Sequence, residues 1–485
     1  MYKNQLFINN EFRDALSGAS IPTVNPYTGE VICEVSEAGP EDVDAAVAAA
    51  SSAQAAWIKI DPSDRATLLW KMAEEIEEHG EELAQLDSVD AGRPISDARE
   101  DIHAAVKNFR YFAGLTDKIH GTTIPAQNDK FVYTRREPYG VVGAITSWNY
   151  PLFNASAKLA PVLAAGNSCI IKPAEETPLT TLRLCEIISA VDGVPAGLIN
   201  VLCGPGETTG ELIVRHPGIA KVTFTGSTGT GRSLLAASAA SNLKGLTLEL
   251  GGKAPVLVFA DADLDVAAKA IAFSAFYNQG QTCTAATRII VDQSVSEALL
   301  SRVIAIAERL AAGDPSDEST TLGPLVSKAQ YEKVAGYLER AKTRGEHLVL
   351  GGYDALTPKG FFVAPTIFDE VSPSSEIFTD EIFGPVLGFT SFGSEDEAVE
   401  LANQSSYGLA AGVWTKDVAR MHRVASAIRV GIVWGNTLFS EHPGAPAGGV
   451  GQSGYGREFG LGAIEEYTQS KTVWVDLSGE YFDWV

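Results

Sequence analysis

Histidine, paired cysteine and basic residues are what this chain has little of, and each shortage closes off a class of function. The seven histidines show no HExxH or other ligand spacing, so each reads as an ordinary histidine and no metal centre is expected. The five cysteines, Cys33, Cys169, Cys185, Cys203 and Cys283, are scattered, odd in number and form no CxxC pair. That pattern suits neither a disulfide framework nor a zinc site, and it fits reduced thiols in a cytoplasmic or organelle-soluble protein. Lysine and arginine total 37 against 61 aspartates and glutamates, a formal net charge of −24. Nucleic acid demands a basic footprint and anionic lipid attracts cations, so neither is an expected partner. No window reaches the roughly 18 apolar residues of a membrane span. Residues 1–10 hold no apolar run of signal-peptide length, and the expected location is cytoplasmic.

What is present is ordinary globular material, 45% apolar and 20% charged in 485 residues. That length implies roughly two to four domains and burial of about three quarters of the unfolded surface. Apolar spacing predicts helices over 41–57, 63–90 and 101–115. From about Tyr139, short β-branched runs alternate with helical ones: 141–146 with 151–164, 168–172 with 179–191, 199–202 with 208–215, 221–224 with 229–239, then 246–250. A second series begins at 254–258 and continues through helices over 264–277, 295–311 and 329–344. Strands alternating with helices predict parallel sheets in two α/β domains. Such sheets bind ligands beyond the carboxyl ends of their strands. Two β runs fit neither series, 130–136 and 471–476. They read equally well as a hairpin within the chain or as strands that add to another subunit.

Several short stretches hold candidate chemistry. Asn278-Gln-Gly-Gln-Thr-Cys283 sets a cysteine among small and amide residues after an apolar helical segment. Thirty-four residues upstream, Leu248-Glu249-Leu-Gly-Gly-Lys253 places a carboxylate before two glycines. A thiol and a carboxylate on loops open to close approach are the minimum for covalent acyl chemistry, although a lone cysteine more often packs as a small hydrophobe. Asn149, in Trp148-Asn149-Tyr150-Pro151, reads as a helix cap or as an amide donor to a developing oxyanion. Lys172 and Glu175 end an apolar strand, where a carboxylate can accept the ribose hydroxyls of an adenosine and repel a 2′-phosphate; the plain alternative is a surface pair. Gly204-Pro-Gly206-Glu-Thr-Thr-Gly210 and Phe224-Thr-Gly226-Ser227 follow strands and precede helices, as tight turns or as phosphate-binding loops. Asp380-Glu381-Ile-Phe383-Gly-Pro385 has no explanation from the chain alone, and the glycine-rich 446–458 is a mobile lid or a packed loop.

Taken together and in this order, these motifs resemble the NAD(P)-dependent aldehyde dehydrogenase superfamily, of the non-acylating, hydrolytic type, over about 7–475. The resemblance implies an α/β fold of two doubly wound domains plus a β oligomerisation arm. The NAD-binding domain would take 1–117 and 138–250, the catalytic domain 251–450, and the arm 118–137 and 467–485. It implies Cys283 as nucleophile, Glu249 as general base, and Asn149 with the Cys283 backbone N–H as oxyanion hole. Lys172 and Glu175 would hold the adenosine ribose, Gly226 and Ser227 the pyrophosphate with Trp148 nearby, and Glu381 the nicotinamide ribose beside Phe383. Thr146, Gly206, Gly210, Phe224 and Leu250 complete the cofactor set. The reaction implied is oxidation of an aldehyde to the free acid with NAD as hydride acceptor, through a thiohemiacetal and a thioester on Cys283 that water activated by Glu249 hydrolyses. Relatives that pass the acyl group to coenzyme A typically lack that glutamate. Glu175 disfavours NADP, and a homodimer or homotetramer is implied. For the substrate pocket, Tyr150, Asn154, Ala157, Tyr277, Thr282, Thr284, Phe439, His442 and Ala447 are candidates. Small residues at Ala157 and Ala447, where many relatives are bulky, imply a wider, more polar pocket. A chain that kept the fold without the chemistry, or an esterase, are the alternatives.

Overall fold

The computed structural model describes residues 2–352 and 360–480, so the end of the expected arm, 481–485, lies outside the described residues. Two large sheets organise them. The centre of the first is five parallel strands in the spatial order Gly245–Glu249, Lys221–Thr225, Val141–Ile145, Ser168–Lys172, Ile199–Val201. The chain starts at Val141–Ile145, winds outward through Ser168–Lys172 and Ile199–Val201, then returns to the other side. The order therefore reverses between Val141–Ile145 and Lys221–Thr225, and a ligand crevice opens beyond the carboxyl ends of those two strands. Val141–Ile145 and Ser168–Lys172 are buried along their whole length, as strands covered on both faces must be. Leu6–Ile8, Glu11–Arg13 and Gly454–Tyr455 close the sheet's edges in antiparallel fashion.

One continuous core runs from Leu6 to Leu250 and resumes at Phe459, Ala463, Ile464 and Tyr467. It includes the apolar faces of the N-terminal helices Pro40–Trp57, Pro62–Glu78, Gly80–Ala91 and Ile95–Ala113. The single helix expected over 63–90 is thus two. The break falls at Gly80, where a Cβ would stand 3.0 Å from the Ile102 side chain. The turn lets Leu69, Met72 and Ile76 before it and Leu83 and Ala84 after it all face the core.

The second sheet has six mutually parallel strands, Thr366–Asp369, Val386–Phe392, Ala286–Asp292, Ala254–Val258, Ala410–Trp414 and Ile432–Gly435, with His347–Leu350 antiparallel at one edge. A core lies on each of its faces, one around Ile271, Ile289 and Leu299, the other around Leu257, Val334 and Leu401. The chain passes from the carboxyl end of Gly245–Glu249 to the amino end of Ala254–Val258 in four residues. So short a link forces the second sheet to face the crevice with its amino ends, the reverse of the expectation for a parallel sheet. Cys283, Glu381 with Phe383, and Leu409 each lie just before one of its strands.

The two orphan β runs find each other. Lys130–Pro138 pairs antiparallel with Thr468–Asp476 over nine residue pairs, and Thr123–Ile124 adds on the other side. Phe131, Trp474, Val475 and Leu477 remain exposed on this arm, Trp474 by 63%.

Candidate active site

A cavity of about 800 Å³ opens where the two sheets face each other. The first sheet's carboxyl ends contribute Trp148, Asn149, Tyr150, Gly226, Ser227 and Glu249; the link contributes Leu250 and Gly251; the second sheet's amino ends contribute Thr282, Cys283, Thr284, Glu381 and Phe383.

The loop that carries Cys283 is locally strained. After the helix Leu264–Phe276, Asn278 (φ 49°), Gln279 (φ 58°) and Gly280 (φ 70°) are all left-handed. For the two non-glycine residues this costs on the order of 1–3 kcal/mol each and persists only where surroundings over-determine it. Here they do. The Asn278 side-chain amide donates to the Asn149 carbonyl (2.7 Å), that of Asn149 donates to the Gln281 carbonyl (2.9 Å), and the Gln281 side-chain oxygen accepts from the Val326 N–H (3.0 Å). Tyr150 adds a hydroxyl contact to Thr282 at 2.6 Å. Cys283 is thereby held half-buried on the cavity wall, whereas Cys169, Cys185 and Cys203 are sealed in the core. Burial pushes its thiol up, and the carboxylates of Glu381, Glu249 and Glu441 push it further.

The two glycines after Glu249 explain how the reactive groups come together. A Cβ at Gly251 would fall 2.3 Å from the Glu381 carboxylate, and one at Gly252 would fall 2.3 Å from the Cys283 carbonyl oxygen. The Gly252 N–H donates to Glu381 at 2.8 Å and fixes one of its oxygens. Glu249 Oε1 is buried with no hydrogen-bond partner. Burial raises its carboxyl well above the usual range and Glu458 adds to the rise, while Lys158 and Arg457 oppose it. Behind it, fully buried Lys158 reaches Glu458 at 2.5 Å and the Thr223 hydroxyl at 3.2 Å. Neither Lys158 nor Glu458 was anticipated, yet a signal existed: Lys158 is the one charged residue in the apolar helix Pro151–Ala164.

The expected cofactor residues divide. Trp148, Gly226, Ser227, Leu250, Glu381 and Phe383 line the cavity, and Trp148 meets Phe383 edge-on at 5.2 Å. Gly226 sits tightly over the buried Phe224 ring, 2.4 Å from a notional Cβ. Ser227 caps the helix Thr228–Ala239 by accepting from the Thr230 N–H, so the first turn faces the crevice. Thr146, Lys172, Glu175, Gly206 and Gly210 lie off the cavity wall. Thr146 and Lys172 are joined at adjacent strand ends by a backbone bond of 3.0 Å. Buried Lys172 donates to the Pro173 and Gly204 carbonyls and meets half-exposed Glu175 at 3.3 Å, with Gly210 packed on its stem. Gly206 faces open space. Gln330 and Lys333, missed in the sequence, line the cavity beside Glu381. A second cavity of about 670 Å³ shares Ser227, Lys333 and Glu381 with the first.

At the other end stand Tyr150, Asn154, Tyr277, Thr282, Thr284, Phe439 and Ala447. Ala157 is 1% exposed, inside the packing of its helix, and does not reach the cavity. His442 also lies off the wall, its Nδ1 accepting from the Gly444 N–H, and it is Glu441 that lines the cavity. Asp97, Glu100 and Asp101 do so as well, from one face of the helix Ile95–Ala113; sequence reading treated that segment only as packing.

The sequence matches the profile described as "Aldehyde dehydrogenase family" over residues 12–473. Among solved structures, a Burkholderia cenocepacia protein is 42% identical, with 100% of both chains covered and a TM-score of 0.97. PnpE from Pseudomonas sp. WBC-3 is 43% identical over 99% of each chain with a TM-score of 0.96, and PnpE has also been solved in complex with nicotinamide adenine dinucleotide. An aldehyde dehydrogenase variant from Bacillus cereus is 44% identical over 98% of this chain and 97% of that one, with a TM-score of 0.96. The α/β fold expected from the motifs is the fold of these structures.

Proposed function

Since the chain belongs to the aldehyde dehydrogenase family, we propose that it oxidises an aldehyde to the free carboxylic acid with NAD as hydride acceptor, through a thioester on Cys283. The observation that carries this reading is that Cys283, Glu249 and the Asn149 amide meet on one cavity.

The donor set suits a dinucleotide. One Glu381 oxygen is fixed by the Gly252 N–H, so the other can accept from a ribose, with Lys333 and Gln330 beside it. The first turn of Thr228–Ala239 offers backbone N–H groups to a pyrophosphate. Lys172 and Glu175 stand ready for the adenosine ribose. Lys172 is held mainly by backbone carbonyls and meets only one Glu175 oxygen, at 3.3 Å, so the half-exposed carboxylate keeps an acceptor for ribose hydroxyls and would disfavour a 2′-phosphate. When bound, NAD accepts the hydride from the carbon attached to Cys283.

The protein's own groups do the rest. Sγ of Cys283 bonds the carbonyl carbon as its proton leaves to Glu249. The oxyanion takes the Cys283 backbone N–H and the Asn149 amide N–H not engaged by Gln281; such a donor is worth about 3 kcal/mol. After hydride loss the carbon is a thioester. Glu249 Oε1, an orphaned acceptor, takes a proton from water, hydroxide adds, and the C–S bond breaks to restore the thiol. Overall, aldehyde, NAD⁺ and water give carboxylic acid, NADH and one proton, the one first taken from Cys283; the proton taken from water returns to the sulfur as the C–S bond breaks. Lys158 and Glu458 lie behind Glu249 and can carry its proton onward.

The exposed apolar side chains of the arm support a homodimer or homotetramer built through Lys130–Pro138 and Thr468–Asp476. The test of the reaction is NADH absorbance with aldehydes: turnover in the wild type and none in Cys283→Ala is expected, and substantial turnover in that variant refutes the assigned nucleophile.

A further inference from the structure

The substrate end of the cavity is charged in one sense only. Among the described residues four carboxylates line it, Asp97, Glu100, Asp101 and Glu441, and the single amine on the wall, Lys333, belongs to the cofactor end, in the fields of Glu381 and Asp380. Asp101 shares the guanidinium of fully buried Arg93 with Asp87. One cation thus serves two acids and leaves the group net negative. Glu100 and Glu441 form no hydrogen bond or ion pair among the described residues. The four are close enough to repel one another. Burial raises Asp97 to about 6, against the pull of Arg93 and Ser96, and Asp101 adds to the rise. Desolvation at the cavity mouth raises Glu441 to about 7, with Asp101 and Glu458 adding, while the residue keeps an exposed surface.

Aromatic rings line the same end of the cavity. Tyr150 and Tyr277 stack with centroids 6.5 Å apart, and Phe439 closes on Tyr277 edge-on at 5.6 Å. Rings and carboxylates line the same cavity; the buried Arg93 guanidinium packs on Tyr150 at 4.5 Å, and its field at the Tyr277 hydroxyl exceeds each of those of Asp101, Asp97 and Glu100, which leaves Tyr277 and Phe439 as the rings open to a ligand. Aromatic faces beside carboxylates are what recognises an ammonium group. The chain's net charge of −24 draws cations to it from solution as well.

We propose that this cavity selects aldehydes that carry a positive charge, an ammonium or quaternary ammonium group, at the end remote from the carbonyl, with Asp97 and Glu441 as the specificity-determining residues. This rests on the dehydrogenase reading above. The carbonyl reaches Cys283 while the cation stays among the rings and acids at the mouth. An anionic aldehyde meets repulsion at the mouth from Asp97, Glu100 and Glu441.

The test is kcat/KM of the NAD-loaded protein for three aldehydes of equal length: one ending in trimethylammonium, its uncharged tert-butyl isostere, and one ending in carboxylate. The trimethylammonium head cannot cyclise onto its own carbonyl. Expected is a preference of about tenfold or more for the cation over the isostere, carried by KM, with the carboxylate poorest. The preference grows as pH rises from about 5 to 8, as Asp97 and Glu441 ionise. In Glu441→Gln and in Asp97→Asn the cation-to-isostere ratio falls several-fold. A wild type that prefers the isostere or the carboxylate, or a ratio unmoved in both variants, overturns the proposal. If no aldehyde yields NADH, the dehydrogenase reading has failed instead. Calorimetry with butyltrimethylammonium against butanesulfonate then decides the charge selectivity. Binding of the cation alone sustains it, and binding of neither or of the anion overturns it.

Discussion

A single methyl group at Gly252 distinguishes a site assembled by close backbone approach from one that merely gathers suitable residues. In Gly252→Ala the new Cβ stands 2.3 Å from the Cys283 carbonyl oxygen. Non-bonded carbon–oxygen contacts settle near about 3.3 Å, so backbone must yield by about 1 Å. The yielding partner is the strained loop that holds Cys283, not a flexible side chain. Misplacing a reacting group by about 1 Å costs on the order of a hundredfold in rate, and the overpacking costs about 1–3 kcal/mol of stability. Gly251→Ala is the matched control. Its Cβ is also 2.3 Å from a neighbour, but that neighbour is the end of the Glu381 side chain, which can swing away. Expected from initial rates of NADH formation is a kcat about a hundredfold lower in Gly252→Ala. In Gly251→Ala the main change should be a KM for NAD raised about tenfold, as expected where binding rather than chemistry is lost. Circular dichroism of both variants is expected to match wild type, which checks that they fold. A Gly252→Ala enzyme whose kcat stays within about threefold of wild type would refute the reasoning, because a 1 Å shift at the nucleophile should not be tolerated.

Three further outcomes follow from the same geometry. Lys158→Met leaves Glu458 buried without its partner, which should cost about 3–5 kcal/mol in urea unfolding; the double change Lys158→Met with Glu458→Gln should recover much of it, and an unshifted single variant contradicts the buried pair. Glu249 is raised by burial, so its basic form is lost on acidification at a higher pH than for an ordinary carboxylate, near 4.3 in model compounds; steady-state turnover should fall on acidification well before that ordinary range is reached, and a profile that stays flat down to it counts against its role. Trp474→Asp, at a highly exposed apolar position of the arm, should lower the assembly state seen in sedimentation, and an unchanged mass places the interface elsewhere.

Much of this molecule was legible in the chain because its signals are local. Alternating β-branched and helical runs from Tyr139 onward gave the strands in place, and the Glu249-Leu-Gly-Gly link was recognisable as a site of close approach before the groups that approach it were known. What escaped depended on packing between distant segments. The break at Gly80 is set by Ile102, more than one helical turn outside any reading window. The second sheet's reversed orientation follows from a four-residue link whose direction no periodicity reports. Asp97 and Asp101 fit the polar side of an amphipathic helix, and only the fold shows that this face borders a cavity. Ala157 was counted toward the pocket by position in a motif, but a helix turns 100° per residue, and that face points into the core. The hydrophobic environment of Lys158, by contrast, was visible in the helix sequence.

The most direct measurement is the mass of Cys283 itself during turnover. In Glu249→Gln, mixed with an aldehyde and NAD and quenched in acid, peptide mass spectrometry should find the acyl group of that aldehyde on Cys283, after a first burst of NADH and little thereafter. An unmodified Cys283 peptide, or the acyl group on any other residue, would contradict the chemistry assigned to this site.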